Sequence, residues 1–450
     1  MNTKQFCAWV CCGLIAITLV AWRIQPKPVE DGKVQLIWST DDNPARREQT
    51  SLFNKLYPRY SLKIDPSNSG MEKVIVQSIA GVGPDIYDSY NSQINSYVKA
   101  GIAWDITDEL IKMGVDINKD MWSCVRPFVT YNGRVYGFAT NAGSCAFWIN
   151  KDIFDQQHVP YPKGPWKWNE FLTVAKRMTI RDKNGRVKVY GLIGAWDNWQ
   201  TFVLQHGGKM YNSDGTRCTL DSPESIAGIQ FIHDLVYKYH VSPTPVDENA
   251  MATQGGWGSG TISLFGGGKA AMGMGGRWWL CTLRNYKGLR LGAVECPYGP
   301  LHIFWGYGKA TLLNKTSPRR YEALQFIKYV TSKDYNELNN HQADALAPMI
   351  RYSYTDKYLH DPAYPKEDFN AVWRDAMKFA VAMPSSPFIE GGVEERIFYK
   401  QLDLVKTNQK SAAKAMQTAA RLINAEIRNN VSKDPVLGAR YTALMKRHRQ

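Results

Sequence analysis

An α/β fold in two interwoven three-layer lobes is what this sequence predicts, on three observations. Short β-rich runs alternate with helical periods through the first hundred residues after the leader; the alternation begins again near residue 146; and no internal repeat or low-complexity linker separates the two stretches. A chain of 450 residues also exceeds the roughly 250–300 residues at which single cores stop growing.

In the first unit, 34–39 is a β-rich run and 46–57 is helical in period. Residues 61–65 alternate again, 72–80 are helical, 85–87 form a short apolar strand and 93–99 the next helix. Strands joined through helices imply a parallel sheet covered on both faces. In such sheets ligands bind beyond the carboxyl ends of the strands, here the turns Ser39-Thr40-Asp41-Asp42, Ser67-Asn68-Ser69-Gly70 and Asp88-Ser89-Tyr90. The second unit opens with Ala146-Phe147-Trp148-Ile149. A helix over 168–178, a strand over 190–194 and a helix over about 223–239 follow. Residues 262–267 and 270–274 flank a glycine-rich region, 309–313 is β-rich, and helices dominate from 319 onward, most clearly over 411–429.

At the N-terminus, Lys4 precedes an apolar run from Phe6 to Trp22, closed by Arg23 and the polar Gln25-Pro26-Lys27-Pro28. This is an export signal at the length boundary between a signal peptide and a short spanning helix, so residues 1–30 are expected to be a leader or an anchor. Cleaved and tethered forms both stay open. Lys and Arg outnumber Asp and Glu by 14, but the basic residues are scattered apart from the Lys446-Arg447-His448-Arg449 tail, which argues against nucleic acid as a partner. Three of the eight cysteines lie in the leader. The other five, Cys124, Cys145, Cys218, Cys281 and Cys296, are expected to be mostly buried thiols with room for one bridge.

Several motifs, in order, carry a family resemblance: Gly83-Pro84-Asp85-Ile86-Tyr87-Asp88; Asn132-Gly133-Arg134-Val135-Tyr136-Gly137-Phe138 leading to Phe147-Trp148-Ile149-Asn150-Lys151-Asp152-Ile153-Phe154; Pro165-Trp166-Lys167-Trp168-Asn169-Glu170-Phe171; and Phe265-Gly266-Gly267-Gly268-Lys269-Ala270-Ala271-Met272 ending in Gly276-Arg277-Trp278. Over most of its length the chain resembles the family-1 extracellular solute-binding proteins, the class that includes maltose-binding protein and many sugar receptors of ABC importers. It departs from that pattern at Ala139, where proline is common, and in lacking the lipid-attachment cysteine.

The resemblance implies the type-2 periplasmic binding fold, with residues 32–142 and 305–347 in the first lobe and 143–304 and 348–450 in the second. Hinge strands would lie over 140–145 and 303–307. It implies an extracytoplasmic receptor that captures a mono- or oligosaccharide between the lobes and delivers it to the transmembrane permease subunits. Anionic or nitrogenous solutes are the alternative ligands.

A sugar needs aromatic plates for its C–H face and short polar groups for its hydroxyls. Of fifteen tryptophans, Trp38, Trp196, Trp257, Trp278, Trp279 and Trp305 stand beside Gly, Ser, Asp or Arg and not inside long apolar runs. The expected ligand-binding residues are Trp38, Asp41, Asn68, Asp88, Asn141, Trp196, Trp257, Arg277, Trp278 and Trp305. Trp278 is the foremost because it ends the glycine-rich strand, with Arg277 beside it as a donor to hydroxyls or a carboxylate. Each Trp could equally be core, and Asp41, Asn68 and Asp88 could equally be turn formers or helix caps. A secreted carbohydrate-active enzyme using Asp41, Asp88 and Glu390 is the rival from another class. The chain has no Gly-x-Ser-x-Gly elbow and no His-Glu-x-x-His, and Gly255-Gly256-Trp257-Gly258-Ser259-Gly260 lacks the Lys-Ser/Thr of a phosphate loop. No catalysis, metal or cofactor is expected.

Overall fold

The computed structural model describes residues 32–66, 70–90, 93–251 and 260–447. The leader, Asn68 and Trp257 lie outside the described residues, as does most of the Gly255–Gly260 motif. In chain order the elements that position the site are β1 (Val34–Ser39), α1 (Pro44–Leu56), β2 (Tyr60–Asp65), α2 (Met71–Ile79), β3 (Ile86–Ser89), β4 (Gly137–Ser144), β5 (Ala146–Asn150), α3 (Trp168–Arg177), β6 (Ile180–Arg181), β7 (Val187–Ile193), α4 (Trp199–Gln205), α5 (Pro223–Tyr237), α6 (Thr261–Gly266), β8 (Ala270–Gly275), β9 (Leu291–Glu295), β10 (Phe304–Leu313), α7 (Arg320–Val330), α8 (Lys333–Gln342), β11 (Ala380–Val381), α9 (Gly391–Lys406), α10 (Ala412–Lys433) and α11 (Pro435–Arg447).

Local chemistry explains the boundaries. Pro44 sits in the first turn of α1, where its missing N–H costs nothing, and Asn43 caps it by accepting from the Arg46 backbone N–H at 3.0 Å. Ser222 with Pro223 does the same for α5, and Ser411 caps α10. Gly267 and Gly268, the latter at φ +70°, end α6 and turn the chain into β8, as the Gly-Gly-Gly-Lys run predicts.

Two sheets result. The first has the order β11-β10-β3-β1-β2, with β4 pairing β10; β1 is parallel to both β2 and β3, as the strand–helix alternation predicts. The second has the order β9-β5-β8-β7-β6. The chain changes sheet across one residue, Cys145, between β4 and β5. The stretches 303–307 and 309–313, read separately from sequence, meet in one continuous strand, β10 (Phe304–Leu313), with a register shift between Lys309 and Ala310. The first sheet's core is built on Trp38, Phe53, Phe326 and Tyr329, with the Trp38 and Phe326 rings 4.8 Å apart. The second lobe's core gathers Phe147, Phe171, Phe202 and Ile229 and the apolar stripe of α10 (Ala415, Met416, Ala419, Ile423, Ile427). Among the described residues no helix is long and apolar enough to cross a membrane.

Candidate functional site

Strand β10 organises the site. Trp305, Tyr307 and Lys309 alternate along it and so share one face over roughly 13 Å, at about 3.3 Å per residue. The residues between them, Gly306 and Gly308, face the other way. A side chain at Gly306 would run into Cys124, and one at Gly308 would meet Val125 and the Asn141 carbonyl. Glycine lets this strand lie flat on the 3-10 turn Ser123–Phe128 while its other face stays free for aromatics.

Beside Trp305 and Tyr307 lies a cavity of about 400 Å³, lined by Asp197, Asn198, Thr261, Ile262, Gly275, Gly276, Trp278, Trp279, Trp305 and Tyr307. Glycines shape it. The ring of buried Trp279 occupies the space a Cβ on Gly273 or Gly275 would need, and a Cβ on Gly276 would overlap the Tyr307 hydroxyl and crowd Trp278. The glycines of β8 therefore make room for Trp279, and Gly276 just after it for Trp278 and Tyr307. Trp305 and Tyr307 lie 5.0 Å apart at 46°, and Trp278 meets Trp279 edge-on at 6.5 Å. The polar groups are few. Tyr307 donates to the Ser144 carbonyl at 3.3 Å, and Thr261 donates to the exposed Asp197 carboxylate at 3.2 Å. Burial, and then the nearby thiol of Cys145, hold the Tyr307 phenol well above its ordinary pKa, so it stays a neutral donor. Gly194, at φ +86° and packed against the Met274 carbonyl, turns the chain out of β7; Asn198 clamps that turn by donating to the carbonyls of Gly194 (2.8 Å) and Met274 (3.1 Å).

Further along β10, Lys309 gathers the carboxylates at the ends of β1 and β3. Its ammonium pairs with Asp41, lies 3.0 Å from Asp88, and sits 5.9 Å from the ring centroid of Tyr90, which is 40% exposed. Arg46 adds a second cation, 3.7 Å from Asp41 and 2.6 Å from Asp344. Although burial alone would raise it, Lys309 and Arg46 together pull the Asp41 carboxyl down to about 2. Lys309 is pushed above its ordinary value: burial and Arg46 oppose its charge, but Asp88, Tyr90 and Asp41 outweigh them.

The predicted residues divide accordingly. Trp278 and Trp305 line the cavity, and Asp41, with its side chain 36% exposed, is the member of the ionic cluster that reaches solvent. Five others have their side chains engaged or buried inside the fold. Trp38 is 0% exposed, spends its indole N–H on Asp88 at 2.8 Å and packs on Phe326, so it has no face to offer a ligand. Asp88 is 1% exposed and accepts from Trp38, Thr40 (2.5 Å) and Thr311 (3.1 Å) besides pairing with Lys309. Asn141 uses its amide internally, accepting from the Lys309 backbone N–H and donating to Asp344. Trp196 is buried in the second core, and its neighbours Asp197 and Asn198 line the cavity instead. Arg277 is 3% exposed, with Nε on Asn370 (2.9 Å), Nη1 on the Ala345 carbonyl and Nη2 on the Asn340 carbonyl, and its guanidinium lies 5.0 Å from the centroid of the Tyr358 ring.

Asp197 and Tyr307 on the cavity wall, and Lys309 further along β10, are the residues of this region that sequence reasoning did not single out. The period-two spacing Trp305-x-Tyr307-x-Lys309 was the available signal for two of them. Asp197 carried none beyond adjacency to Trp196.

Residues 38–337 match the family described as "Bacterial extracellular solute-binding protein". Among curated proteins, the chain is 25% identical over 111 residues to an arabinooligosaccharide-binding protein of Halalkalibacterium halodurans (25% of this chain, 24% of that one). It is 24% identical over 339 residues to a maltotriose-binding protein of Pyrococcus abyssi (71% and 66%). These alignments thus take in less than two thirds of either relative's length. Among solved structures, the ABC substrate-binding protein Lmo0181 of Listeria monocytogenes, in complex with cycloalternan, superposes with a TM-score of 0.75 at 19% identity, covering 87% of this chain and 98% of that one.

Proposed function

This chain belongs to the bacterial extracellular solute-binding protein family, and on that premise we propose that it captures a neutral mono- or oligosaccharide beside β10 and hands it to the membrane subunits of an ATP-driven importer. The observation that carries this reading is the cavity wall. Three aromatic rings, Trp278, Trp305 and Tyr307, converge with Asp197 and Asn198, and among the described lining residues there is no Lys, Arg or His. Such a wall offers ring faces to C–H groups and hydrogen-bond acceptors to hydroxyls. The relatives named for oligosaccharides support the same class of ligand.

An anionic solute held by Arg277 is disfavoured, because each nitrogen of that guanidinium already bonds inside the fold. Glycoside hydrolysis is disfavoured too. A general acid needs a raised pKa, whereas Asp41 is held at about 2, and Glu390 lines a different cavity with Glu72 and Lys433. In this reading the hinge lies where β4 passes to β5 and along the start of β10, between lobes of 32–142 with 305–347 and 143–304 with 348–450, apart from β11, which pairs with β10 in the first sheet. Residues 1–30 act as export leader or tether in this reading.

A thermal-shift screen of neutral sugars, uronates, organic phosphates and amines tests the proposal. A ligand at 100 times its Kd adds about 2.7 kcal/mol, which raises the Tm of a chain this long by roughly 3 °C. A shift with a neutral saccharide that disappears in Trp278→Ala supports the reading. Shifts with anions alone overturn the ligand class.

A further inference from the structure

We propose that Cys145 and Cys296 become a disulfide when the protein matures outside the cytoplasm, stapling the segment that crosses between the sheets to the strand beside it. Cys145 is the one residue between β4 and β5, and Cys296 is the first residue after β9. Strands β5 and β9 are antiparallel with Ala146 opposite Glu295, so the next step of that register sets Cys145 opposite Cys296. Their sulfurs are 3.6 Å apart and both residues are 0% exposed. Directly opposed antiparallel residues hold their Cβ atoms about 4.5–5.5 Å apart, and a disulfide needs about 3.5–4.5 Å. The bond requires only a small local approach. The competitor is Cys124, which abuts Gly306 on the far side of β10. Cys218 lies where its own backbone N–H and carbonyl bond Asn424, and Cys281 donates to the Gln342 carbonyl.

The chemistry is thiol–disulfide exchange with an oxidant of the disulfide class, such as an oxidised dithiol protein or oxidised glutathione. The Cys145 thiolate attacks one sulfur of the oxidant, the oxidant's S–S bond breaks, and its other sulfur leaves as a thiolate. Cys296, deprotonated, then attacks the Cys145 sulfur of the mixed disulfide and expels the second thiolate. The two cysteines lose two electrons and two protons, and the oxidant's disulfide becomes a dithiol. Either cysteine can open the exchange before packing; in the folded lobe their environments differ. Burial would raise Cys145, but hydrogen bonding from Cys296 and from Thr201, 3.0 Å away, brings it below its ordinary value. Burial and then Cys145 itself push Cys296 well above. Because both sulfurs are sealed in the folded lobe, the exchange precedes final packing.

The staple lies directly behind the aromatic wall. Thr201 accepts from the Trp305 backbone N–H at 3.2 Å, and Ser144 donates to the Trp305 carbonyl at 3.0 Å. Fixing Cys145 to β9 holds this backing rigid on the second-lobe side. The inference rests on the extracellular reading only for the oxidant's presence, since disulfides persist in oxidising compartments.

The test refolds the full chain in a glutathione redox buffer, alkylates it under denaturing conditions and maps its peptides by mass spectrometry. The expected result is one linked pair joining Cys145 to Cys296, with Cys124, Cys218 and Cys281 alkylated. Five alkylated thiols, or a link through Cys124, overturn the proposal. A strong reductant should also lower the Tm of the linked protein by about 5–10 °C and leave Cys145→Ala unmoved; an equal response in both overturns it. A link formed in the redox buffer but absent from protein recovered outside the cell overturns the claim that the pair is oxidised on maturation; protein retained in the cytoplasm with both thiols reduced overturns the extracellular premise instead.

Discussion

Replacing Lys309 with methionine, which keeps most of the side chain's bulk and removes its charge, isolates the ionic cluster at the ends of β1 and β3. In the native protein this ammonium is nearly sealed, with 7% of its side chain exposed, and pairs with Asp41 and with the fully buried Asp88 carboxylate. Removing one partner of a buried pair typically costs about 3–5 kcal/mol, because the other charge stays desolvated. Asp88 keeps its bonds from Trp38, Thr40 and Thr311, and Asp41 keeps Arg46 at 3.7 Å, which puts the loss near the lower end, about 3 kcal/mol. Against a total stability of roughly 5–15 kcal/mol this is a large fraction. Urea unfolding followed by tryptophan fluorescence at pH 7 measures it. The same titration near pH 4 should show a smaller difference from wild type, because Asp41, no longer held down by Lys309, takes up a proton more readily in the variant. Asp88→Asn should recover part of the loss in the Lys309→Met background and not in wild type. A loss below about 1 kcal/mol at pH 7, with no dependence on pH, would refute the claim that Lys309 is the electrostatic keystone of this end of the sheet.

Three further outcomes follow from the geometry. Gly276→Ala should abolish ligand-induced stabilisation, because its methyl would occupy the space of the Tyr307 hydroxyl; calorimetric titration against wild type reads this, and unchanged affinity would contradict the packing. Burial raises Glu394 to about 7 even though Tyr211 donates to it at 2.6 Å, so the folded state binds the extra proton and stability should fall as pH rises from the unfolded value of 4.5 to about 7. Glu394→Gln should flatten that slope and gain up to about 3 kcal/mol above pH 7, as chemical denaturation across pH would show. Asp41, at about 2 in the folded state against 3.8 unfolded, contributes stability that is full above pH 3.8 and lost as pH falls toward 2. Its partly exposed side chain limits the term to about 1 kcal/mol, the difference between wild type and Asp41→Asn at pH 6.

The fold was legible because its signals are local. Strand β1 carries a β-rich run, α1 begins at Asn43-Pro44, and the glycines after α6 force a turn, so each element follows from residues within a few positions. Trp278 was legible for the same reason, standing at the end of a strand too rich in glycine to pack without rings on it. Where the buried candidates spend their polar groups depends on partners distant in sequence. Nothing near Trp38 announces that Asp88, fifty positions on, takes its N–H, and nothing near Arg277 announces the carbonyls of Asn340 and Ala345. A residue at a strand's carboxyl end can face the ligand or the hinge network beneath it. That choice is made by β10, which arrives about 270 positions after β1 and brings Lys309 with it.

The most direct test of the central claim is a crystal structure of the protein with the saccharide that most stabilises it. Density for a sugar ring against Trp278, Trp305 and Tyr307, with a hydroxyl on Asp197, is the predicted result. A ligand bound elsewhere with those three rings unoccupied, or a bound anion paired to a displaced Arg277, would contradict it.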